Sequence, residues 1–187
     1  MNDFFIALGA NLSSTEGPPE VTLRAALEML ENADLKVQSV SAFYRTPCFP
    51  AGAGPDYVNA AAHLQSALSP EDLLARLHKI EAFFGRERHN RWGMRTLDLD
   101  LIASGDRVLP DRATYIAWRD LPLEAQRQAA PDQLILPHPR LQDRAFVLVP
   151  LRDIAAQWRH PVLDRTVAEM CDALSPDLLA EIVVLDA

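Results

Sequence analysis

The run Arg95-Thr96-Leu97-Asp98-Leu99-Asp100-Leu101-Ile102 constrains the chain more than any other stretch. Its alternation has the period of a β-strand, in which successive side chains point to opposite faces. Leu97, Leu99 and Leu101 then share one face, which must be buried. Asp98 and Asp100 share the other, with β-carbons roughly 7 Å apart. Two ionised carboxylates at that spacing repel, and burying them unpaired is costly. Two readings are open: both face solvent across a half-exposed strand, or both hold a divalent cation. Magnesium prefers hard oxygen ligands, keeps several waters and shares its shell with substrate phosphates, so the second reading is a magnesium–nucleotide site.

Immediately upstream, residues 85–95 hold four arginines (Arg86, Arg88, Arg91, Arg95), one histidine and a single glutamate. In a chain of formal charge -8 this is a local reversal of sign. Guanidinium forks make paired, charge-assisted bonds to phosphate, and Trp92 can stack on a heterocycle. The bland alternative is a solvated loop on an acidic surface. The junction with the Asp-Leu-Asp strand favours the functional reading, because cations and carboxylates around one site are what phosphoryl transfer requires.

The rest of the chain reads as alternating elements. A strand is expected over 3–10, a helix over about 20–32 carrying Val21, Leu23, Ala26, Leu27 and Leu30, and a strand over 36–44. A Pro/Gly-rich loop precedes a strand at 57–67. Ser69 caps the next helix, with Pro70 at its first position and Asp72 in near capping-box relation; Leu73, Leu74, Leu77, Ile80 and Phe84 form its apolar stripe, and Gly85 ends it. Helical periods recur at 148–156 and 165–174, and residues 182–185 suit a short edge strand. Strand, helix, strand, strand, helix, strand on an antiparallel sheet is an α+β, ferredoxin-like βαββαβ core. The chain of 187 residues reads as one domain, 1–187. Residues 105–133 fit this order poorly. They read as a surface insertion, with one helical turn near 122–129, serving as a lid, an added hairpin or neutral padding.

The acidic balance disfavours wrapping nucleic acid by bulk electrostatics. No apolar run approaches the roughly 18 residues of a membrane span, and residues 1–9 do not read as a signal peptide. Cys48 and Cys171 make neither a disulfide framework nor a CxxC pair, which points to a reducing cytoplasm. Walker-type loop, dinucleotide fingerprint and GxSxG elbow are all missing, so a nucleotide would be held by side chains and loops.

Four blocks in order carry a family resemblance. They are residues 7–12 (Ala-Leu-Gly-Ala-Asn-Leu); 41–47 with 55–61; Ile80-Glu81 with Gly85-Arg86, Arg88 and residues 91–100; and 136–140 with 144–151. In these the chain resembles the 6-hydroxymethyl-7,8-dihydropterin pyrophosphokinase family of folate biosynthesis. The resemblance implies a monomeric enzyme with mobile catalytic loops that transfers the pyrophosphoryl group of ATP to the pterin hydroxymethyl group, releasing AMP. It implies two magnesium ions on Asp98 and Asp100. It implies a pterin pocket at Thr46, Pro47, Phe49, Tyr57, Asn59 and Phe146, and nucleotide contacts from Glu81, Arg86, Arg88, Trp92, Arg95, His138 and Arg144. Arg86, Arg88 and Arg95 join the aspartates as catalytic residues. The segments 50–55 and 85–95 are the candidate lids, with Arg86 and Arg88 acting after closure. Met94 stands where the family has proline, His89 where lysine is common and Ala10 where serine is usual. The competing readings are another magnesium-dependent nucleotide enzyme, such as a nucleotidyltransferase, and a catalytically silent protein of the same fold.

Overall fold

A computed structural model of the chain describes residues 1–48, 52, 54–85, 95–122, 124–125 and 131–185. The sheet is built around β1 (Asn2–Ala10), which pairs antiparallel with β4 (Tyr57–Ser66) on one side and β5 (Asp98–Ser104) on the other. Beyond β4 lie β2 (Leu35–Val40), paired with its 62–66 half, and β3 (Tyr44–Thr46), paired with Tyr57 to Asn59. A two-residue strand, β6 (Val183–Val184), extends the sheet past β3, as the apolar end of the sequence suggests.

The strand expected over 36–44 is thus two strands. The cause is local: Ser41 donates its N–H to the Ala61 carbonyl, while its hydroxyl accepts the Ala61 N–H at 2.9 Å, taking a ladder bond that a carbonyl would otherwise make. A register shift between Val37 and Ser39 bends the strand just before this point. With β2 and β3 counted as one, the order β5-β1-β4-β2/β3 is the ferredoxin-like order.

Alternation gives the sheet two different faces. One carries Phe4, Ile6, Leu8, Ala60, Ala62, Leu64, Leu97, Leu99 and Leu101. It is covered by α1 (Pro19–Leu30) through Leu23, Ala26 and Leu30, and by α2 (Pro70–Phe83) through Leu73, Leu77 and Ile80. Each fully buried leucine contributes roughly 1.5–3 kcal/mol. Val21, expected near this stripe, is exposed. Ser69 caps α2 by accepting the Asp72 N–H; Asp72 answers through the Ser69 hydroxyl at 2.7 Å instead of closing a reciprocal box. Gly85 turns the chain out of α2 with φ 78°, a left-handed conformation open to glycine.

The other face is covered over only part of its area. Phe5, Ala61, Ile102 and Ala103 form a second core with α4 (Ala145–Ala155) and α5 (Val167–Asp172) through Val147, Leu148, Leu151 and Met170. Outside this second core the same face carries Gly9, Asn59, Asp98 and Asp100, of which Gly9 and Asn59 are buried and the aspartates half-buried. A short α6 (Pro176–Ala180) leads to β6.

Between β5 and residue 134 the chain forms α3 (Arg112–Arg119), capped by the Asp111 carboxylate on the Thr114 N–H. The expected turn at 122–129 falls mostly outside the described residues, of which Glu124 and Ala125 are helical, and α3 is a further helix in what the sequence read as loop. Tyr115 of α3 is fully buried and hydrogen-bonded to His160 at 2.9 Å. Cys48 and Cys171 are both buried and outside any disulfide; burial pushes the Cys171 thiol up to about 11. Among the described residues no helix is long and apolar enough to cross a membrane.

Candidate active site

The site forms on the polar part of the second sheet face, and its first members are set by strand register. Gly9 of β1 lies opposite Asp98 of β5 on one side and Asn59 of β4 on the other. Two residues along, Ala7 faces Asp100 and Ala61. Side chains of Asn59, Asp98 and Asp100 therefore stand on one surface, with a side-chain-free position between amide and carboxylate. That gap is needed: a β-carbon on Gly9 would come within 2.9 Å of the Asn59 amide oxygen. Asn59 is held from the far side, donating from Nδ2 to the Thr46 hydroxyl at 2.7 Å. Both residues are buried, so the orientation of the amide is fixed.

Tyr57, at the start of β4, is half-buried, and burial raises its phenol pKa while Asp98 adds to the rise and Arg95 opposes it. The phenol thus stays neutral beside a charged pair. Arg95 pairs with Asp98, and Arg144 lies 3.6 Å from Asp100. Each carboxylate is balanced by a guanidinium, with Asp98 21% and Asp100 38% exposed at the side chain. These are partly wet, cation-seeking carboxylates, in agreement with the expected polar face. Asp98 and the other nearby acids raise the Arg95 pKa against the opposing effect of burial, the largest single influence.

Arg144 precedes α4, and its guanidinium sits 5.7 Å from the Phe146 ring centre. Phe146 is 41% exposed, so part of its ring is open to solvent beside Arg144. His138 reaches the site from the 136–140 turn, tied to β5 by its N–H on the Ile102 carbonyl. Its Nδ1 accepts the Arg140 N–H at 3.1 Å, which leaves the ring proton on Nε2. Burial first, then Arg144, push the His138 pKa down to about 3, so the ring is a neutral donor.

Glu81 stands apart from this surface. It is buried in α2 beneath the opposite face, where Oε1 accepts the Leu99 N–H at 2.8 Å. It grips β5 along the edge that β1 does not use, between the two aspartates. Pro47 is exposed in the loop after β3. Phe49, Arg86, Arg88 and Trp92 lie outside the described residues, as do His89, Met94 and most of the two candidate lids.

Two residues to which sequence reasoning gave no role belong to this surface. Gly9 supplies the space for Asn59, and Asn11 ties β1 to both flanking loops through Arg95 and Pro55. Both sit in the Ala7–Leu12 block, whose lack of apolar alternation after Leu8 was the available signal. The two carboxylates fit a magnesium site: both offer hard oxygens, both already carry a cationic partner, and both border open surface. Among the described residues no third His, Cys, Asp or Glu joins them, so most of such an ion's shell would be water and phosphate.

Residues 5–156 match the family described as 7,8-dihydro-6-hydroxymethylpterin-pyrophosphokinase (HPPK). A protein of Synechocystis named 2-amino-4-hydroxy-6-hydroxymethyldihydropteridine pyrophosphokinase is 38% identical over 168 residues, covering 89% of this chain and 73% of its own. The protein of that name from Pseudomonas aeruginosa is 37% identical over 158 residues, covering 84% and 83%. The fold is shared with a solved HPPK-DHPS structure in complex with substrates, at a TM-score of 0.64 and 12% identity. The match covers 92% of this chain and 45% of that one. The family match takes in most of the sheet, the polar part of its second face and α4, and the chain belongs to the 7,8-dihydro-6-hydroxymethylpterin-pyrophosphokinase family.

Proposed function

We propose that the polar part of this sheet face is where this pyrophosphokinase carries out the reaction of its family in folate biosynthesis. The pyrophosphoryl group of ATP passes to the hydroxyl of 6-hydroxymethyl-7,8-dihydropterin, giving AMP and the pterin pyrophosphate. One observation carries the reading: the pinned Asn59 amide and the Asp98/Asp100 pair share one surface, with only Gly9 between them. An amide that recognises a heterocycle and carboxylates suited to a metal–phosphate group thus lie one strand apart.

The roles follow from the chemistry of each group. With Nδ2 committed to Thr46, Asn59 keeps Oδ1 as acceptor and its second amide hydrogen as donor, matching the mixed edge of a pterin. Tyr57, Phe146, Pro47 and Phe49 supply the walls of the pterin pocket, their aromatic rings suiting a flat heterocycle. Two magnesium ions are assigned to Asp98 and Asp100. Bound there, they would neutralise charge on the transferring and leaving oxygens. Arg95 and Arg144, which balance the aspartates here, are the cations positioned to turn toward phosphate. His138 offers Nε2–H to a phosphate oxygen and, being neutral, takes no part as an acid. Glu81 serves the nucleotide side by fixing β5 at Leu99. Arg86, Arg88 and Trp92 are assigned to the nucleotide and its phosphates from their positions in the sequence.

The pterin hydroxyl attacks the β-phosphorus in line, so both substrates must be held with the reacting atoms near contact. We further propose that the chain, residues 1–187, acts as a single-domain cytoplasmic monomer in which 105–133 is a surface insertion. The Tyr115–His160 bond supports reading that insertion as docked on the segment after residue 156, where the family match ends. The test is product analysis: protein, magnesium, ATP and 6-hydroxymethyl-7,8-dihydropterin should yield AMP and pterin pyrophosphate in equal amounts. ADP, or free pyrophosphate with an adenylylated product, overturns the assignment. The latter outcome would favour the nucleotidyltransferase reading.

A further inference from the structure

Asn11 follows β1 and is 4% exposed. Its backbone N–H, and that of Leu12, donate to the Arg95 carbonyl at 3.0 and 3.1 Å. Its side chain splits between two segments. Oδ1 accepts the Arg95 N–H at 2.7 Å, and Nδ2 donates to the Pro55 carbonyl at 3.1 Å. Arg95 leads into β5 and pairs with Asp98; Pro55 lies two residues before Tyr57. One short amide therefore spans the segment ahead of the carboxylate strand and the segment ahead of the pterin wall. Asparagine is the residue that offers acceptor and donor together on so short a stem.

We propose that Asn11 is a positioning residue that holds the two substrate subsites in fixed relation, by clamping the backbone at Arg95 to the backbone at Pro55. It touches neither substrate. It sets where Tyr57 stands relative to Arg95 and Asp98, and hence where a pterin hydroxyl stands relative to the β-phosphorus of ATP. This rests on the assignment of Tyr57 and Asn59 to the pterin, and of Arg95, Asp98 and Asp100 to the metal–nucleotide.

Two variants separate the halves of the clamp. Asn11→Asp keeps an acceptor for the Arg95 N–H but loses the donor to Pro55, whereas Asn11→Ala loses both. The pterin is uncharged, so the new carboxylate finds no net charge on it to attract or repel. Pterin Kd should rise about tenfold in both variants, the effect of losing one buried hydrogen bond. Single-turnover rates should fall by about tenfold to a hundredfold, as expected for reacting groups displaced by a fraction of an ångström. The Kd for magnesium–ATP should rise less in Asn11→Asp than in Asn11→Ala, while the pterin Kd rises alike in both. If both variants lower Tm but bind pterin and turn over like the wild type, Asn11 is only structural and the proposal is overturned. Equal losses for both substrates in Asn11→Asp overturn it as well. Failure of the underlying site reading is distinguishable, because the wild type itself would then neither bind the pterin nor form AMP.

Discussion

Gly9→Ala tests the geometry of the site with the smallest perturbation available. Gly9 sits in a regular strand pair with Asn59 and Asp98, and its φ is not in the left-handed region, so alanine fits the backbone. The added methyl, however, would stand 2.9 Å from the Asn59 amide oxygen, about half an ångström inside ordinary contact. The amide cannot swing away freely, because it is buried and its Nδ2 is held by Thr46 at 2.7 Å. Relief costs that hydrogen bond, about 0.5–1.5 kcal/mol, or leaves its partner unsatisfied at about 1–3 kcal/mol. Alanine returns roughly 0.5–1 kcal/mol of backbone entropy within the strand. The fold should therefore lose at most about 2 kcal/mol, or a few degrees in Tm. Pterin affinity has no such compensation, and its Kd should rise about tenfold or more. The assay is titration of the purified protein with 6-hydroxymethyl-7,8-dihydropterin, alongside magnesium–ATP as an internal control expected to be unchanged. A double-mutant cycle with Asn59→Ala identifies the cause: once the amide is gone, Gly9→Ala should cost little more. Wild-type pterin affinity in Gly9→Ala, or an undiminished penalty in the Asn59→Ala background, refutes the reasoning.

Three further outcomes are expected. Asp98→Asn and Asp100→Asn should each lower turnover by at least about a hundredfold while the circular dichroism spectrum is retained; a rate near wild type in either variant removes that residue from the metal site. Tyr115→Phe deletes the hydroxyl bonded to His160. It should cost about 1 kcal/mol, or roughly 2–4 °C in Tm, with kcat and both KM values unchanged; an unchanged Tm contradicts the docking of α3. Stability should also fall on mild acidification. Burial holds the His160 pKa down at about 4, and its Nδ1 accepts the Val162 and Leu163 N–H groups. The unfolded chain then takes up the proton first, near the ordinary value of about 6.5. The contribution is fully present above that value and is lost progressively as pH drops toward about 4. His138, with its pKa at about 3, acts with the same sign. A Tm that stays flat from about pH 7 to 4.5 contradicts this linkage.

How far the sequence could be read depended on how much of each interaction is local. β1, α2 and β5 were legible because each is a largely apolar run of seven or more residues with a recognisable cap or glycine at its end. The Asp98/Asp100 pair followed from the same alternation. The break at Ser41 was not legible, since nothing in the local pattern says that a hydroxyl will take the place of a ladder carbonyl at Ala61. α3 escaped for a different reason: it is only eight residues long, buries a single residue, Tyr115, and has no place in the expected order of elements, although the Asp111 cap was there to be read. Gly9 and Asn11 matter only through partners 44 to 84 residues away, at Asn59, Pro55 and Arg95. Such roles emerge from register and cannot be seen in a window of sequence.

The central claim is that a pyrophosphoryl group, and not a phosphoryl or adenylyl group, moves to the pterin hydroxyl. The direct measurement is the fate of label from ATP carrying radioactive phosphorus at either the α or the β position. The account predicts that β-label appears in the pterin product and α-label in AMP, in equal molar amounts and only with magnesium present. β-Label retained in ADP, or α-label found on the pterin, would contradict it.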